Sequence, residues 1–335
     1  MKNASNPQRN AEAGNNLISI VVPVFNEAEV LDVFYHRLKK VLDTLTVLSE
    51  IVFVDDGSTD NSHALLIGLQ QSDERIAVVA LSRNFGKEIA MTAGLDHARG
   101  DAVIVIDADL QDPPELIPEL IGEWQEGSDM VYAKRLSREG ESWIKKLTAH
   151  WFYRLLRHAS NIEIPEDTGD FRLLNRKTVN ALRQIRERHR FMKGLFAWVG
   201  YRQKSVTYRR EPRHAGNSKW NYWRLWNFAL EGITSFTTAP LRVATYLGLM
   251  TALGSFLFGS YIVYDALVWG NPVQGYPSLM VVILFLGGVQ LISIGIIGEY
   301  LGRVFEETKQ RPLYLVDNYQ PAKTAHTKDS NHTTM

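Results

Sequence analysis

Two stretches in the last third of this chain decide what kind of molecule it is. Leu241 to Trp269 contains only Arg242 near its start and Asp265 near its end, and Pro277 to Gly302 is apolar apart from Glu299 near its close. Each is longer than the roughly 20 residues with which a helix crosses a bilayer. Core helices of soluble proteins rarely run so far without charge, so the pattern predicts a two-helix transmembrane anchor over 240–305, with spans at about 241–269 and 277–302. Gly248, Gly254, Gly259, Gly287, Gly288, Gly295 and Gly298 fit that reading, because glycine weakens a helix in water but lets membrane helices approach closely.

The flanks orient the hairpin. Arg242 and the basic stretch Arg209 to Lys219 precede the first span, Arg303, Lys309 and Arg311 follow the second, and Gly270 to Tyr276 between them has no Lys or Arg. The positive-inside rule then puts both termini and the larger part of the chain in the cytoplasm. Before the first span, Trp220, Tyr222, Trp223 and Trp226 suit the headgroup zone, and the segment 216–239 is expected to be an amphipathic helix lying along the interface. His214 to Lys219 reads as a flexible loop that gates the substrate. The residues from 306 to 335 are expected to form a cytoplasmic tail.

Composition excludes several classes. Lys plus Arg and Asp plus Glu both number 37, so the whole molecule is no simple polyanion binder and no nucleic-acid partner is expected. The absence of cysteine excludes disulfides, thiolate metal sites and cysteine nucleophiles. The first 16 residues are polar and lack the apolar segment of a signal peptide, so they are expected to be a disordered tail.

The region 17–215 has the pattern of an α/β domain. Leu17 to Phe25, Glu50 to Asp55, Ile76 to Ser82 and Ala102 to Asp107 are short and rich in Val and Ile, and helical patterns run roughly over 29–45, 61–71, 87–98 and 114–126. Strand and helix in alternation predict a mostly parallel, Rossmann-like sheet. Ligands bind such sheets at the carboxyl ends of the strands. Polar clusters follow each predicted strand: Pro23 to Glu27, Asp55 to Asp60, Arg83 to Lys87, and Asp107-Ala108-Asp109. Asp107 and Asp109 repel each other unless a cation lies between them, and a divalent metal with oxygen ligands resolves this most simply. A second acid cluster, Glu166 to Arg172, precedes a group of cations.

This series resembles the glycosyltransferase family 2 enzymes of GT-A fold. The matching pieces are VVPVFNE (Val21 to Glu27), VDDGSTD (Val54 to Asp60), SRNFGKEIA (Ser82 to Ala90), DADLQDPPE (Asp107 to Glu115) and TGDFRLLNR (Thr168 to Arg176), and with the hairpin the resemblance covers roughly 17–315. It narrows to polyprenyl-phosphate glycosyltransferases of the bactoprenol glucosyltransferase type, relatives of dolichol-phosphate mannose synthase. It implies that Pro23, Phe25, Glu27, Asp55, Asp56, Lys87 and Asp107 serve a UDP-sugar. Asp107 and Asp109 would hold Mg²⁺ or Mn²⁺, with Asp109 the first choice for direct ligation. Asp170 is the main candidate for the acceptor-side carboxylate, with Asp167 close behind. Arg172, Arg176 and Arg209 are the candidates for gripping an acceptor phosphate, Arg172 first, since guanidinium groups hold phosphate bidentately.

The expected reaction is inverting transfer of a hexose, glucose first, from a UDP-sugar to undecaprenyl phosphate at the cytoplasmic face of a bacterial inner membrane. The product would feed O-antigen or other envelope glycans after a flippase has moved it. The resemblance also implies a homo-oligomer, a tetramer. Transfer of another sugar, such as 4-deoxy-4-formamido-arabinose, GlcNAc or mannose, is the nearest alternative. A processive synthase would need a Q-x-x-R-W signature and more spans, neither of which is present. A non-catalytic membrane scaffold is a third reading, against which the retained acids argue.

Overall fold

The computed structural model describes residues 16–136, 168–188, 190–208, 239–269 and 275–323. They divide into two compact units: one holds the sheet, including the residues from 312 onward, and the other holds the two long helices.

The first unit opens with the predicted alternation: β1 (Leu17–Val24), α1 (Ala28–Leu42), β2 (Leu48–Asp55), α2 (Ser62–Ser72), β3 (Ile76–Leu81), α3 (Lys87–His97) and β4 (Ala102–Val105). A 3₁₀ turn at Pro114–Leu116 leads into α4 (Ile117–Gln125), and β5 (Met130–Arg135) follows. Beyond the undescribed stretch come β6 (Thr168–Asn175), α5 (Arg176–Gln184), α6 (Met192–Trp198) and β7 (Gln203–Tyr208). The last strand, β8 (Val316–Gln320), comes after the long helices.

Apolar side chains cover both faces of the central strands, as burial on both sides requires. Ile18, Ile20, Val22, Ile51 and Phe53 pack with Leu31, Phe34 and Leu38 of α1 in one core. Val21 and Val54 meet α3 on the other face, where a side chain at Gly94 would collide with Val21. Each large buried side chain of this kind is worth about 1.5–3 kcal/mol relative to exposure.

The sheet order is β7-β5-β6-β4-β1-β2-β3-β8. Strands β4, β1, β2 and β3 are parallel neighbours, whereas β6 runs antiparallel to both β4 and β5, and β8 runs antiparallel to β3. The sheet is therefore mixed, with more antiparallel pairing than strand–helix alternation predicts. Parallel ladders still outnumber antiparallel ones, since β5 and β7 also pair in parallel, and the antiparallel partners arrive from distant sequence, which leaves no local signature.

Two consequences position the site. From β1 the chain goes one way to β2 and β3 and the other way to β4, so a topological switch point lies between β1 and β4. The β1–β4 ladder ends at Val21–Val105, and Pro23, which has no N–H to donate, falls just past that end. The second consequence is that β6, being antiparallel, begins where β4 finishes: Arg172 pairs with Val105, and Asn175 with Ala102.

The C-terminal residues correct the sequence reading of a tail. Ser82 N–H donates to Leu315 O, Lys323 N–H to Glu74 O, and Ala322 is buried, so the segment after the helices closes the edge of the sheet. The second unit contains α7 (Ala239–Trp269) and α8 (Tyr276–Thr308), which pack against each other. Within α8, Phe285–Thr308 is long and apolar enough to cross a membrane by length and composition. Leu253, Phe256, Leu291 and Ile294 lie on the exposed outside of this pair, more than half open, where water would penalise them and lipid would not. The expected interfacial segment, the loop at His214 to Lys219 and most of the N-terminal tail lie outside the described residues.

Candidate active site

The loops at the carboxyl ends of β1, β2 and β3 are stitched into one rim. Asn26 adopts a left-handed backbone at φ 54°. Its Oδ1 accepts from Thr59 N–H at 2.8 Å, while its own N–H donates to Ser58 Oγ at 3.1 Å. Glu27 N–H donates to Ser62 Oγ and Ala28 N–H to Asp60 Oδ2. Ser58 and Asp60 thus bridge two loops, beyond the helix-capping role their type suggests. Gly57, at φ 66°, lets the β2 loop touch the β3 loop, since a Cβ there would lie 2.6 Å from Asn84 N.

Asp55 and Asp56 are both buried at this rim. Asp55 accepts from Ser58 N–H at 3.0 Å and lies 2.9 Å from His63 Nδ1. Asp56 accepts from Phe85 N–H at 2.7 Å and Gly86 N–H at 2.9 Å, which fixes the loop that starts α3. Burial raises Asp56 above the ordinary carboxylate value, although the two amides pull the other way. Pro23, Phe25 and Glu27 remain partly open beside these clamps.

The chemistry gathers one loop further on. Lys87, the first residue of α3, places Nζ 2.7 Å from Asp107 Oδ2 and 2.5 Å from Asp170 Oδ2. The antiparallel β4–β6 ladder ends at Val105–Arg172, and Asp107 and Asp170 each lie two residues beyond that end. Burial pushes Asp107 up to about 6, against the pull of Lys87. Burial also works to raise Asp170, yet Lys87, Lys193 and Arg172 together hold it well below the ordinary carboxylate range. Asp109 Oδ1 accepts from Gln111 N–H at 3.1 Å. Leu110, which follows it, is buried with φ 61°, a left-handed conformation that costs a non-glycine residue about 1–3 kcal/mol.

Sequence reasoning missed Glu88 and Tyr208, and it placed Lys193 only among the cations that follow the acid cluster. Glu88 accepts from Met192 N–H at 3.2 Å and is pushed up to about 7 by burial and by Asp170. Lys193, in the first turn of α6, adds positive charge near Asp170 and is itself lowered by burial. Tyr208 donates to buried Asp112, and Arg135 Nε donates to Tyr208 at 3.4 Å, tying the ends of β5 and β7 to the loop after β4. Glu88 lay inside the SRNFGKEIA motif without a role of its own, and nothing in the spacing marks Tyr208.

Two predicted phosphate ligands are corrected. Arg176 donates to Ala98 O at 3.0 Å and Gly100 O at 2.8 Å, at the amino end of β4, because the antiparallel direction of β6 carries it away from Asp107. Arg172 is buried: Nη2 donates to Gly169 O at 2.8 Å, and its guanidinium carbon lies 3.8 Å from the Phe196 ring centroid. Burial pushes it down to about 10, and its positive charge acts on Asp170. Asp167 and Arg209 lie outside the described residues.

The donor set suits a hard cation. Asp107 and Asp170 already close on an ammonium, and Asp170 Oδ1 is buried without a hydrogen-bond partner among the described residues. No group of three or more His, Cys, Asp or Glu forms a complete cage among the described residues. Mg²⁺ commonly takes only one or two carboxylates and leaves its other positions to water and substrate phosphates, so the residues present fit such an ion.

Comparison with known proteins decides the family. A sequence model of glycosyl transferase family 2 matches residues 19–183, and one of the GtrB C-terminal hairpin matches 239–304. The chain is 54% identical over 301 residues to the bactoprenol glucosyl transferase of Shigella phage SfV, covering 90% of this chain and 98% of that one. The chain belongs to glycosyltransferase family 2. This glycosyltransferase is also 58% identical over 301 residues to an uncharacterized glycosyltransferase of Synechocystis, covering 90% of this chain and 95% of the relative. A prophage bactoprenol glucosyl transferase homolog of Escherichia coli K12 is 50% identical over 299 residues, covering 89% and 98%. Among solved structures, mannosyl-3-phosphoglycerate synthase from Rubrobacter xylanophilus superposes with a TM-score of 0.47 at 20% identity, covering 67% of this chain and 73% of that one, too loosely to bear on ligands.

Proposed function

We propose that this glycosyltransferase transfers glucose from UDP-glucose to a polyprenyl phosphate, the undecaprenyl (bactoprenol) lipid of a bacterial inner membrane, on the cytoplasmic side. One observation carries the reading: relatives called bactoprenol glucosyl transferases match at 50–54% identity across the catalytic part and the hairpin alike. The two-sided acid site supports it. The crevice between β1 and β4 offers the nucleotide Pro23 and Phe25 as an apolar wall, with Glu27 and the clamped Asp55 and Asp56 as acceptors for base and ribose.

Asp109 and Asp107 would hold Mg²⁺ or Mn²⁺, which when bound neutralises charge on the departing diphosphate. In the transfer an acceptor phosphate oxygen forms a bond to the anomeric carbon. The bond from that carbon to the β-phosphate oxygen breaks, and its electron pair leaves with UDP. A single in-line step inverts the anomeric centre and gives a β-linked product from an α-linked donor. The acceptor is already ionised near neutral pH, by analogy with a phosphomonoester of second pKa about 6. Asp170 therefore has little proton to remove. Its work is to orient the acceptor, with Asp167 and Arg209 as further candidates on that side.

Connectivity supports a two-span topology. Strand β7 precedes the helices and β8 follows them, and both belong to one sheet. A soluble sheet lies on one side of a membrane, so the chain between its strands crosses an even number of times. If α8 crosses, α7 crosses too. Self-association and delivery of the product to a flippase belong to the same reading.

The test is purified protein with radiolabelled UDP-glucose, polyprenyl phosphate and divalent metal. Lipid-extractable label is expected, and its absence sinks the proposal. Asp109→Asn and Asp170→Asn should each lower turnover by roughly a hundredfold or more with folding intact. Full activity in either removes the role assigned to it.

A further inference from the structure

We propose that Lys87 is an internal counter-ion that competes for Asp107 with the divalent cation held there and gives that acid up when the donor's diphosphate arrives. Its Nζ touches one oxygen of each carboxylate, at 2.7 and 2.5 Å. The three residues come from three elements and meet only in the fold: Lys87 is separated from Asp107 by 20 positions and from Asp170 by 83. Without a cation, two carboxylates brought this close would repel each other or bind a proton.

Exposure shows which way the lysine can leave. Its side chain is 44% accessible, against 21% for Asp107 and 13% for Asp170, so it lies over the carboxylates from the solvent side. The backbone beneath it is fixed, because Asp56 holds Phe85 N–H and Gly86 N–H and Gly86 sets the helix start at φ 97°. Only the flexible four-carbon stem is left to move. The ammonium also leaves the site incompletely satisfied, since Asp170 Oδ1 is buried without a partner among the described residues. A doubly charged ion offsets the charge of Asp107 better than a single ammonium, and a diphosphate offers the displaced lysine new oxygens.

The exchange links metal and donor binding: each should strengthen the other because Lys87 moves from the acids to the diphosphate. This rests on the donor and metal of the preceding reading, but its measurement needs no acceptor lipid. Free Mn²⁺ is followed by electron paramagnetic resonance during titration of the full chain in detergent, with and without UDP. Lys87→Met is expected to bind Mn²⁺ alone at least about tenfold more tightly than the parent, since one positive charge beside the acids is gone. UDP should strengthen Mn²⁺ binding strongly in the parent and much less in the variant. Lys87→Arg keeps the charge and should stay near the parent. Unchanged or weaker Mn²⁺ binding by Lys87→Met overturns the proposal, and so does an arginine variant that behaves like the methionine one. Should the methionine variant not fold, Lys87→Gln carries the same measurement. Failed glucosyl transfer with intact Mn²⁺ exchange would count against the acceptor assignment alone.

Discussion

At the scale of single residues, this protein uses carboxylates in two opposite ways. Asp107 and Asp170 are crowded around one ammonium, while other carboxylates are held by full sets of donors. Asp73 is of the second kind. It is nearly buried, receives Arg75 Nε at 3.0 Å and Nη2 at 2.7 Å, and accepts from Tyr35 OH at 3.0 Å. Burial would raise it, but these bonds win and hold it at about 2, against 3.8 for the free side chain. Because the folded value is the lower one, the stabilisation is complete above about pH 4 and is lost as pH falls through about 2. Asp73→Asn should therefore cost on the order of 1–2 kcal/mol at about pH 7, and the gap to the parent should narrow below about pH 3. Thermal melts in detergent at both pH values check this, and an equal loss at both would refute the linkage.

At the scale of elements, β8 is the least expected part. Its antiparallel pairing covers the edge of β3, an edge that would otherwise invite another chain. Tyr314 OH donates to Asp96 Oδ2 at 2.9 Å, and the Tyr319 ring lies 4.8 Å from that of His97, so the strand is also fastened to the end of α3. Ending the chain at Arg311 should lower the melting temperature and promote association through the bared β3 edge. Calorimetry and size-exclusion chromatography read both, and an unchanged melting temperature would show that β8 is dispensable. The strand was not legible in advance because Val316 to Gln320 is short, polar and distant from its partner. Strands β1 to β4 were legible because their Val and Ile runs are local and helices separate them.

At the scale of the whole molecule, the sheet constrains the membrane topology. If both helices span the membrane as proposed, a label placed between them and one placed in β8 should be reached from opposite sides, because β7 and β8 share one sheet. The absence of cysteine makes the test direct. Gln274→Cys should react with a membrane-impermeant maleimide from the periplasmic face of intact spheroplasts. Asp317→Cys, in β8, should react only after the membrane is opened. Labelling of both from the same side would overturn the two-span arrangement.

What the sequence determined alone was whatever depends on contiguous residues. That includes charge-free runs of spanning length, the alternation that makes parallel strands, and the polar clusters that end them. It also includes the candidacy of Asp107, Asp109 and Asp170, each carried by a short motif. The tertiary structure decided which of those residues meet. Strand β6 enters antiparallel beside β4, so Asp170 arrives at Asp107 while Arg176, six residues later, is carried to the far edge. The direction and register of a strand are set by packing against the finished sheet, and no local pattern encodes them. For the same reason Lys87, read as a ligand for phosphate, is found holding two acids together.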